Sequence, residues 1–227
     1  MFKYLLPIHL LLCSIIAGCG GEKNVQSTPE LREAAAQGTA TQKPISDSSA
    51  NTRNVKFDVK LKAGDGSTSY YLKFDGEDGK LLSGAKKELF RFKRNESKLK
   101  IVDANEKIVG YIAAYPGRFK IENSTKNELY QYQQSGSDWK LKKSEIMMLR
   151  IKKREYGYEA ETPNDDRVSK VKYKDGKTSL RNADEKTVFY TKDKLDSIAM
   201  MPLGFTDLDI HHRFALSLAL QIKLGQD

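Results

Sequence analysis

The sequence has only two cysteines, Cys13 and Cys19, and both lie near its start. Cys13 falls within an apolar leader that export would remove, and Cys19 follows the leader directly. Alkylation of Cys19, for which the reasons follow below, would leave no free thiol in the mature chain. The sequence therefore predicts a fold without disulfides and excludes a cysteine nucleophile from the mature protein.

Histidine and catalytic motifs are also scarce. Beyond the leader the sequence has two histidines, His211 and His212, and it contains neither a Gly-x-Ser-x-Gly elbow nor a glycine-rich phosphate loop. We therefore predict that the protein is not an enzyme and has no cofactor. An envelope hydrolase is the less favoured alternative, and it would require a cleft that joins His211 or His212 to carboxylates.

No apolar run is long enough for a relaxed transmembrane helix, which needs about 20 residues. The longest run in the leader, residues 4–17, follows the single charge of Lys3 and ends in small residues. This order of charge, apolar run and small residues is typical of a secretory signal. We predict a signal peptide at 1–18.

The end of the leader, residues 16–19, reads Ile-Ala-Gly-Cys and resembles the lipidation box of bacterial lipoproteins. The resemblance implies cleavage before Cys19, a diacylglyceryl thioether on its sulfur and acylation of its new amine. Gly20 is not aspartate, so the resemblance implies the periplasmic face of the outer membrane. Residues 19–54 are polar, which predicts a flexible tether between the lipid and the following domain.

The remaining sequence, 55–227, changes to a period of two, the pattern of half-buried strands. The predicted strands are 55–62, 71–74, 88–93, 98–103, 108–113, 118–122, 128–133, 139–142, 146–152, 156–161, 168–174, 178–182 and 186–190. Turn-forming residues separate them, and Asp75, Asp103, Asn123 and Asp175 are predicted to hydrogen-bond turn backbone. Short strands at near-regular spacing favour an antiparallel barrel of about 12 strands.

The end of the chain breaks the strand pattern. Residues 194–201 predict one or two helical turns ended by Pro202, and Thr206 and Asp209 have the spacing of a capping box. Residues 210–224 are apolar nearly all round, so a helix there must be surrounded. We predict that the barrel encloses this helix. A β-sandwich with the helix packed on it is the alternative.

Two segments are similar to the superfamily of tubby C-terminal, LURP-one-related and scramblase-like domains. Residues 99–109 (LKIVDANEKIV) match its strand and turn units, and 214–222 match its closing helix. The resemblance covers roughly 55–223 and implies a 12-stranded barrel threaded by the last helix. Tubby proteins bind phosphoinositides, but no matching cluster can be transferred to this sequence.

The chain is basic, with 39 Lys and Arg against 30 Asp and Glu and a formal charge of +9. The densest basic stretch consists of Lys140, Lys142, Lys143, Arg150, Lys152, Lys153 and Arg154. In a strand pair it could meet an anionic bilayer, while a plain solvated face is the alternative. Nucleic acid is not expected, because Tyr156 and Tyr158 share the parity of core residues and are not free to stack on bases.

Asp207, Asp209 and His211 could approach one another at the start of the last helix and hold a divalent metal. The stronger interpretation is that the carboxylates favour the positive end of a helix. Neighbouring helical residues point about 100° apart, so His211 and His212 are not expected to share one ion. We predict no metal site.

Together these features predict a membrane-tethered, non-catalytic envelope lipoprotein that binds or scaffolds an envelope component. Its predicted partners are the bilayer, through acylated Cys19, and either an anionic phospholipid or an envelope protein. A module that binds or handles anionic phospholipid is the alternative.

Overall fold

The computed structural model describes residues 55–224, which form a closed antiparallel β-barrel followed by short helices and one longer helix. The strands are β1 Lys56–Ala63, β2 Thr68–Asp75, β3 Asp78–Ser83, β4 Glu88–Asn95, β5 Lys98–Asp103, β6 Ile108–Tyr115, β7 Arg118–Asn123, β8 Glu128–Ser135, β9 Asp138–Lys143, β10 Ile146–Arg154, β11 Gly157–Glu161, β12 Arg167–Lys174, β13 Lys177–Asn182 and β14 Thr187–Thr191. The predicted leader and tether (1–54), with Cys19, lie outside the described residues, as do residues 225–227.

Each strand pairs with its neighbours in sequence, and β1 pairs with both β2 and β14. The closing register sets Lys62 opposite Tyr190 and Ala63 opposite Phe189. The predicted antiparallel barrel is confirmed. The alternative β-sandwich is wrong, because a sandwich would leave β1 and β14 as free sheet edges.

The barrel has 14 strands, close to the predicted 12, and β3 is the strand that sequence reasoning missed. Residues 75–79 have the composition of a turn, but Gly79 lies inside β3. A Cβ atom at this position would lie 2.8 Å from Cδ2 of Leu218 on the last helix. The glycine therefore marks a close approach of helix and strand, which a local pattern cannot reveal.

Five-residue turns recur at one end of the hairpins. In each turn the N–H of the first residue donates to the carbonyl of the fifth, and the fourth residue has positive φ. The first residues of these turns are Ala63, Ser83, Asp103, Asn123, Thr162 and Asn182. A register shift accompanies each turn in its flanking strands. Such bulges bend and twist strands, which helps a sheet to close.

Side chains satisfy the turn backbone as predicted at three of the four positions. Oδ1 of Asp103 accepts the N–H groups of Asn105 and Lys107, each at 2.9 Å. Oδ1 of Asn123 accepts two N–H groups in the same way, and Asp75 accepts one. These bonds replace the backbone partners that a strand loses where it turns.

The C-terminal part of the described chain comprises α1 Ser197–Met200, a 3₁₀ helix Met201–Gly204 and α2 Ile210–Gln221. Helix α1 ends at Met200, and Pro202 lies in the first turn of the 3₁₀ helix that follows. A proline is tolerated there because the N–H that it lacks would have no partner within the helix. Helix α2 begins after Asp209, so Thr206 is not its N-cap. The guanidinium of Arg213 donates to the carbonyls of Leu208 (2.6 Å) and Thr206 (3.2 Å), which holds the preceding loop against the helix.

Helix α2 is enclosed by the barrel. Every residue from 214 to 220 is buried, so no face of this part of the helix meets solvent. The ring of Phe214 lies 5.0 Å from that of Tyr70 on β2, and His211 lies 5.5 Å from Phe90 on β4. The inward side chains of the strands form one apolar cluster with the helix. None of the helices within 55–224 has the length and hydropathy that a bilayer-spanning helix requires.

Two neighbouring positions on α2 test how closely this interior is packed. Leu216 is fully buried, and Ser217 is also fully buried with a hydroxyl that has no hydrogen-bond partner among the described residues. We expect Leu216→Ala to lower the free energy of unfolding by about 2–5 kcal/mol, because a cavity replaces packed atoms. We expect Ser217→Ala to be neutral or to raise it by up to about 1 kcal/mol, because it removes a desolvated hydroxyl. Urea unfolding followed by circular dichroism measures both, and equal losses in the two variants would contradict an enclosed helix.

Candidate functional site

The predicted basic stretch lies on β9 and β10, which are adjacent and antiparallel. The register sets Lys140 opposite Arg150, and Lys143 opposite Ile146 at the turn. Trp139, Leu141, Leu149 and Ile151 point into the barrel, so the alternating Lys140, Lys142, Arg150 and Lys152 point outward. The structure thus brings these four cations of the stretch onto one outer surface.

Acidic residues neutralise the β10 side of this surface. Lys152 pairs with Glu161 (Nζ–Oε2 2.5 Å), Arg154 with Glu161 (Nη2–Oε1 3.2 Å) and Arg150 with Asp165 (Nη1–Oδ1 3.4 Å). Glu161 faces Arg150 across the β10–β11 pair. The pairing of β10 with β11 therefore brings this carboxylate next to the β10 cations. Arg150, Lys152 and Arg154 are therefore less available to an anionic ligand than the sequence suggested.

The remaining four cations form what we call the β9 lysine patch: Lys140, Lys142, Lys143 and Lys153. None of them forms an ion pair with another residue in the range 55–224. Lys143 lies over the ring of Tyr130 at 5.8 Å. Ile146, opposite Lys143, has 69% of its surface exposed. An exposed aliphatic side chain beside lysines can contact a bilayer interface.

A second group lies where α2 begins. Ligand atoms of Asp209, His211 and His212 all lie within 4.8 Å of one another. The two imidazole centroids are 4.2 Å apart, so the expectation that these neighbours diverge is wrong. They occupy the first turn of the helix, where Phe90 packs against His211 and the Glu122 carbonyl lies 3.1 Å from His212. Asp207, the third ligand considered from the sequence, is not a member of this group, and His212 takes its place.

Both histidines are neutral at neutral pH. Burial, and then the neighbouring His212, lower the pKa of His211 to about 4, although Asp209 opposes the shift. Burial also lowers the pKa of His212, against the hydrogen bond to the Glu122 carbonyl and the charge of Asp209. Neutral imidazoles carry free lone pairs, so these side chains can act as proton acceptors or as ligands. The carboxylate that a hydrolase would place beside a histidine is present, but the sequence supplies no nucleophile motif to go with it.

An apolar pocket of about 280 Å³ opens beside the same helix start, and sequence reasoning missed it. Its walls include Tyr70, Phe189 and Phe214, and the buried hydroxyl of Ser169 has no partner among the described residues. The one charged side chain in the wall, Arg213, donates to loop carbonyls. Its role in the pocket is therefore structural.

Comparisons with known proteins add little. No protein-family model matches the chain, and no curated protein matches it. A crystal structure of a protein from Arabidopsis thaliana is similar with a TM-score of 0.35 and 10% identity, covering 66% of this chain and 88% of that one. A score of this size supports no conclusion about fold or function, and the resemblance to tubby-like domains stays a prediction.

Proposed function

We propose that the chain is a bacterial envelope lipoprotein whose barrel acts as a non-catalytic binding or scaffolding domain. Cys19 would carry the lipid, and residues 19–54 would tether the barrel near the periplasmic face of the outer membrane. Support for the anchor is the sequence Ile-Ala-Gly-Cys at the end of an apolar leader. Several acyl chains on one residue bind a bilayer stably, since each buried CH₂ contributes about 0.8 kcal/mol.

The observation that favours a surface-binding role is the filled barrel interior. Barrels that carry small ligands keep a cavity in the interior or at the mouth. Here the side chains of α2, such as Leu216 and Leu218, are fully buried among inward strand residues. A lipid chain could not pass beyond the pocket of about 280 Å³ at the start of α2 without displacing the helix, so a partner would bind the outer surface or the mouth of this pocket.

The lipid anchor makes a clear prediction in cells. We expect Cys19→Ala to abolish labelling by radioactive palmitate and to move the protein from the membrane to the soluble fraction or leave it as an uncleaved precursor. Cys13→Ala is the matched control, since it removes the other cysteine and should leave labelling unchanged. Palmitate on the Cys19→Ala protein, or loss of labelling in Cys13→Ala, would contradict the anchor.

Anionic phospholipid is the second candidate ligand, and the β9 lysine patch favours it. Lys143 lies opposite exposed Ile146 at the hairpin tip, Lys142 and Lys140 precede it on β9, and Lys153 lies near the other end of β10. None of the four forms an ion pair within residues 55–224. Each lysine near an anionic surface contributes up to about 1 kcal/mol. The lipid anchor would hold the barrel close to such a surface, so weak contacts would suffice.

Vesicle co-sedimentation tests this candidate with the chain from residue 19 carrying Cys19→Ser. We expect Lys140→Glu, Lys142→Glu and Lys143→Glu together to weaken binding to phosphatidylglycerol vesicles at least about 10-fold, because three attractive charges become repulsive. The matched control reverses Lys56, Lys60 and Lys62 on β1, which lies six strands from β9 around the barrel. Equal weakening by both triple variants, or binding that ignores salt, would contradict a role for the patch.

A further inference from the structure

We propose that Asp209, His211 and His212 bind one divalent transition-metal ion of the zinc type, through a carboxylate oxygen and one nitrogen from each imidazole. This site is independent of the proposed lipid anchor and of the β9 lysine patch. One group from each of the three residues supports the proposal.

The first is Nε2 of His211. It is buried and has no hydrogen-bond partner within the described part of the chain. Most buried polar atoms in proteins are paired, and leaving one unpaired typically costs about 1–3 kcal/mol. Phe90 and His212 pack against the ring, and Asp209 and His212 each offer a ligand atom within 4.8 Å of one on His211. A metal ion held by the three residues would give this imidazole the partner that it lacks.

The second is the imidazole of His212, which the barrel holds in a fixed orientation. Its Nε2 lies 3.1 Å from the carbonyl oxygen of Glu122 on β7. Donation from Nε2–H to that carbonyl leaves Nδ1 with the free lone pair. Metal-binding histidines commonly donate their other ring N–H to a backbone carbonyl in this way.

Gly110 on β6 leaves the space that the imidazole of His212 occupies. A Cβ atom at this position would lie 2.4 Å from Nε2 of His212 and 2.8 Å from the Glu122 carbonyl oxygen. Any other residue would displace the imidazole from the carbonyl. The strand thus has a gap that accepts the ring, and the ring orientation is built into the barrel.

The third is the carboxylate of Asp209. This residue occupies the N-cap position of α2, where aspartate usually accepts a backbone N–H, yet its side chain makes no capping bond. The two bonds from Arg213 to the preceding loop fix the backbone that carries it. The carboxylate is exposed and lies within 4.8 Å of the histidine nitrogens.

The donor set selects the class of metal. Two imidazole nitrogens and one carboxylate oxygen suit zinc, cobalt, nickel and copper, whereas calcium and magnesium prefer oxygen ligands alone. Zinc bonds of about 2.0–2.1 Å place tetrahedral ligand atoms roughly 3.3 Å apart, so atoms separated by up to 4.8 Å must approach by up to about 1.5 Å. Rotation of the exposed Asp209 side chain can supply most of that movement. Three protein ligands leave a fourth position for water or for a ligand from a partner.

Metal titration of the full chain tests the site. The protein carries Cys13→Ser and Cys19→Ser to remove thiol ligands and a tag without histidine, and it is purified in detergent. We expect zinc chloride to bind with about one ion per chain in calorimetry and to raise the thermal unfolding midpoint. We expect cobalt chloride to give the intense visible bands of a tetrahedral site.

Single variants distinguish this site from general surface binding. Asp209→Asn and His211→Ala should each weaken zinc affinity at least about 10-fold and remove the visible cobalt bands. Asp207→Asn is the matched control, because it removes an exposed neighbouring carboxylate that is not a ligand. Asparagine is as good an N-cap as aspartate, so the metal-free Asp209→Asn protein should have the unfolding midpoint of the parent. A loss of zinc binding in this variant would therefore not result from misfolding. The proposal is overturned if the parent chain binds no zinc, if Asp209→Asn binds like the parent, or if Asp207→Asn weakens binding equally.

Discussion

The fold depends on the burial of helix α2 inside the barrel, which covers the apolar surfaces of both. Helix α2 is too apolar to face water, and the barrel has an interior that its own side chains do not fill. Each therefore requires the other: the strands cover Leu216, Leu218 and Leu220, and these side chains replace the solvent that would otherwise occupy the barrel. Because apolar burial contributes about 25 cal/mol per Å², a helix covered on all sides contributes more than one packed on a surface. The barrel must close around this helix, and closure leaves no free edge between β1 and β14.

Closure in turn rests on the regular turns. The five-residue turns begin at Ala63, Ser83, Asp103 and Asn123, at intervals of 20 residues, and each brings a bulge that bends the sheet. Gly79 and Gly110 lie inside strands at points where a Cβ atom would meet Leu218 and His212 of the helix. The repeated hairpin therefore explains how the sheet closes. The two glycines explain how the wall leaves room for Leu218 and His212.

Much of this was predictable from the sequence. The period of two and the turn residues predict most strands, and an all-round apolar segment with its place after many strands predicts the enclosed helix. The strand β3 was missed because Gly79 is explained only by Leu218, 139 positions along the chain. Asp209 and His211 were considered together from the sequence, but His212 was left out because helical periodicity separates adjacent side chains. Contacts with Phe90 and with the Glu122 carbonyl instead set the two rings 4.2 Å apart. The neutralisation of Arg150, Lys152 and Arg154 also depends on pairing across strands, which charge counts along the chain do not contain.

Because its interior is occupied, the described part of the chain (55–224) offers a ligand its outer surface and the start of α2. Hydrogen exchange of the α2 amides measures the underlying claim most directly. If the barrel encloses the helix, the amides of Phe214 to Leu220 exchange only through global unfolding, with a free energy equal to that of central barrel strands such as β6. Exchange of these amides at a free energy several kcal/mol lower, while β6 stays protected, would show that the helix leaves an intact barrel and would contradict the account.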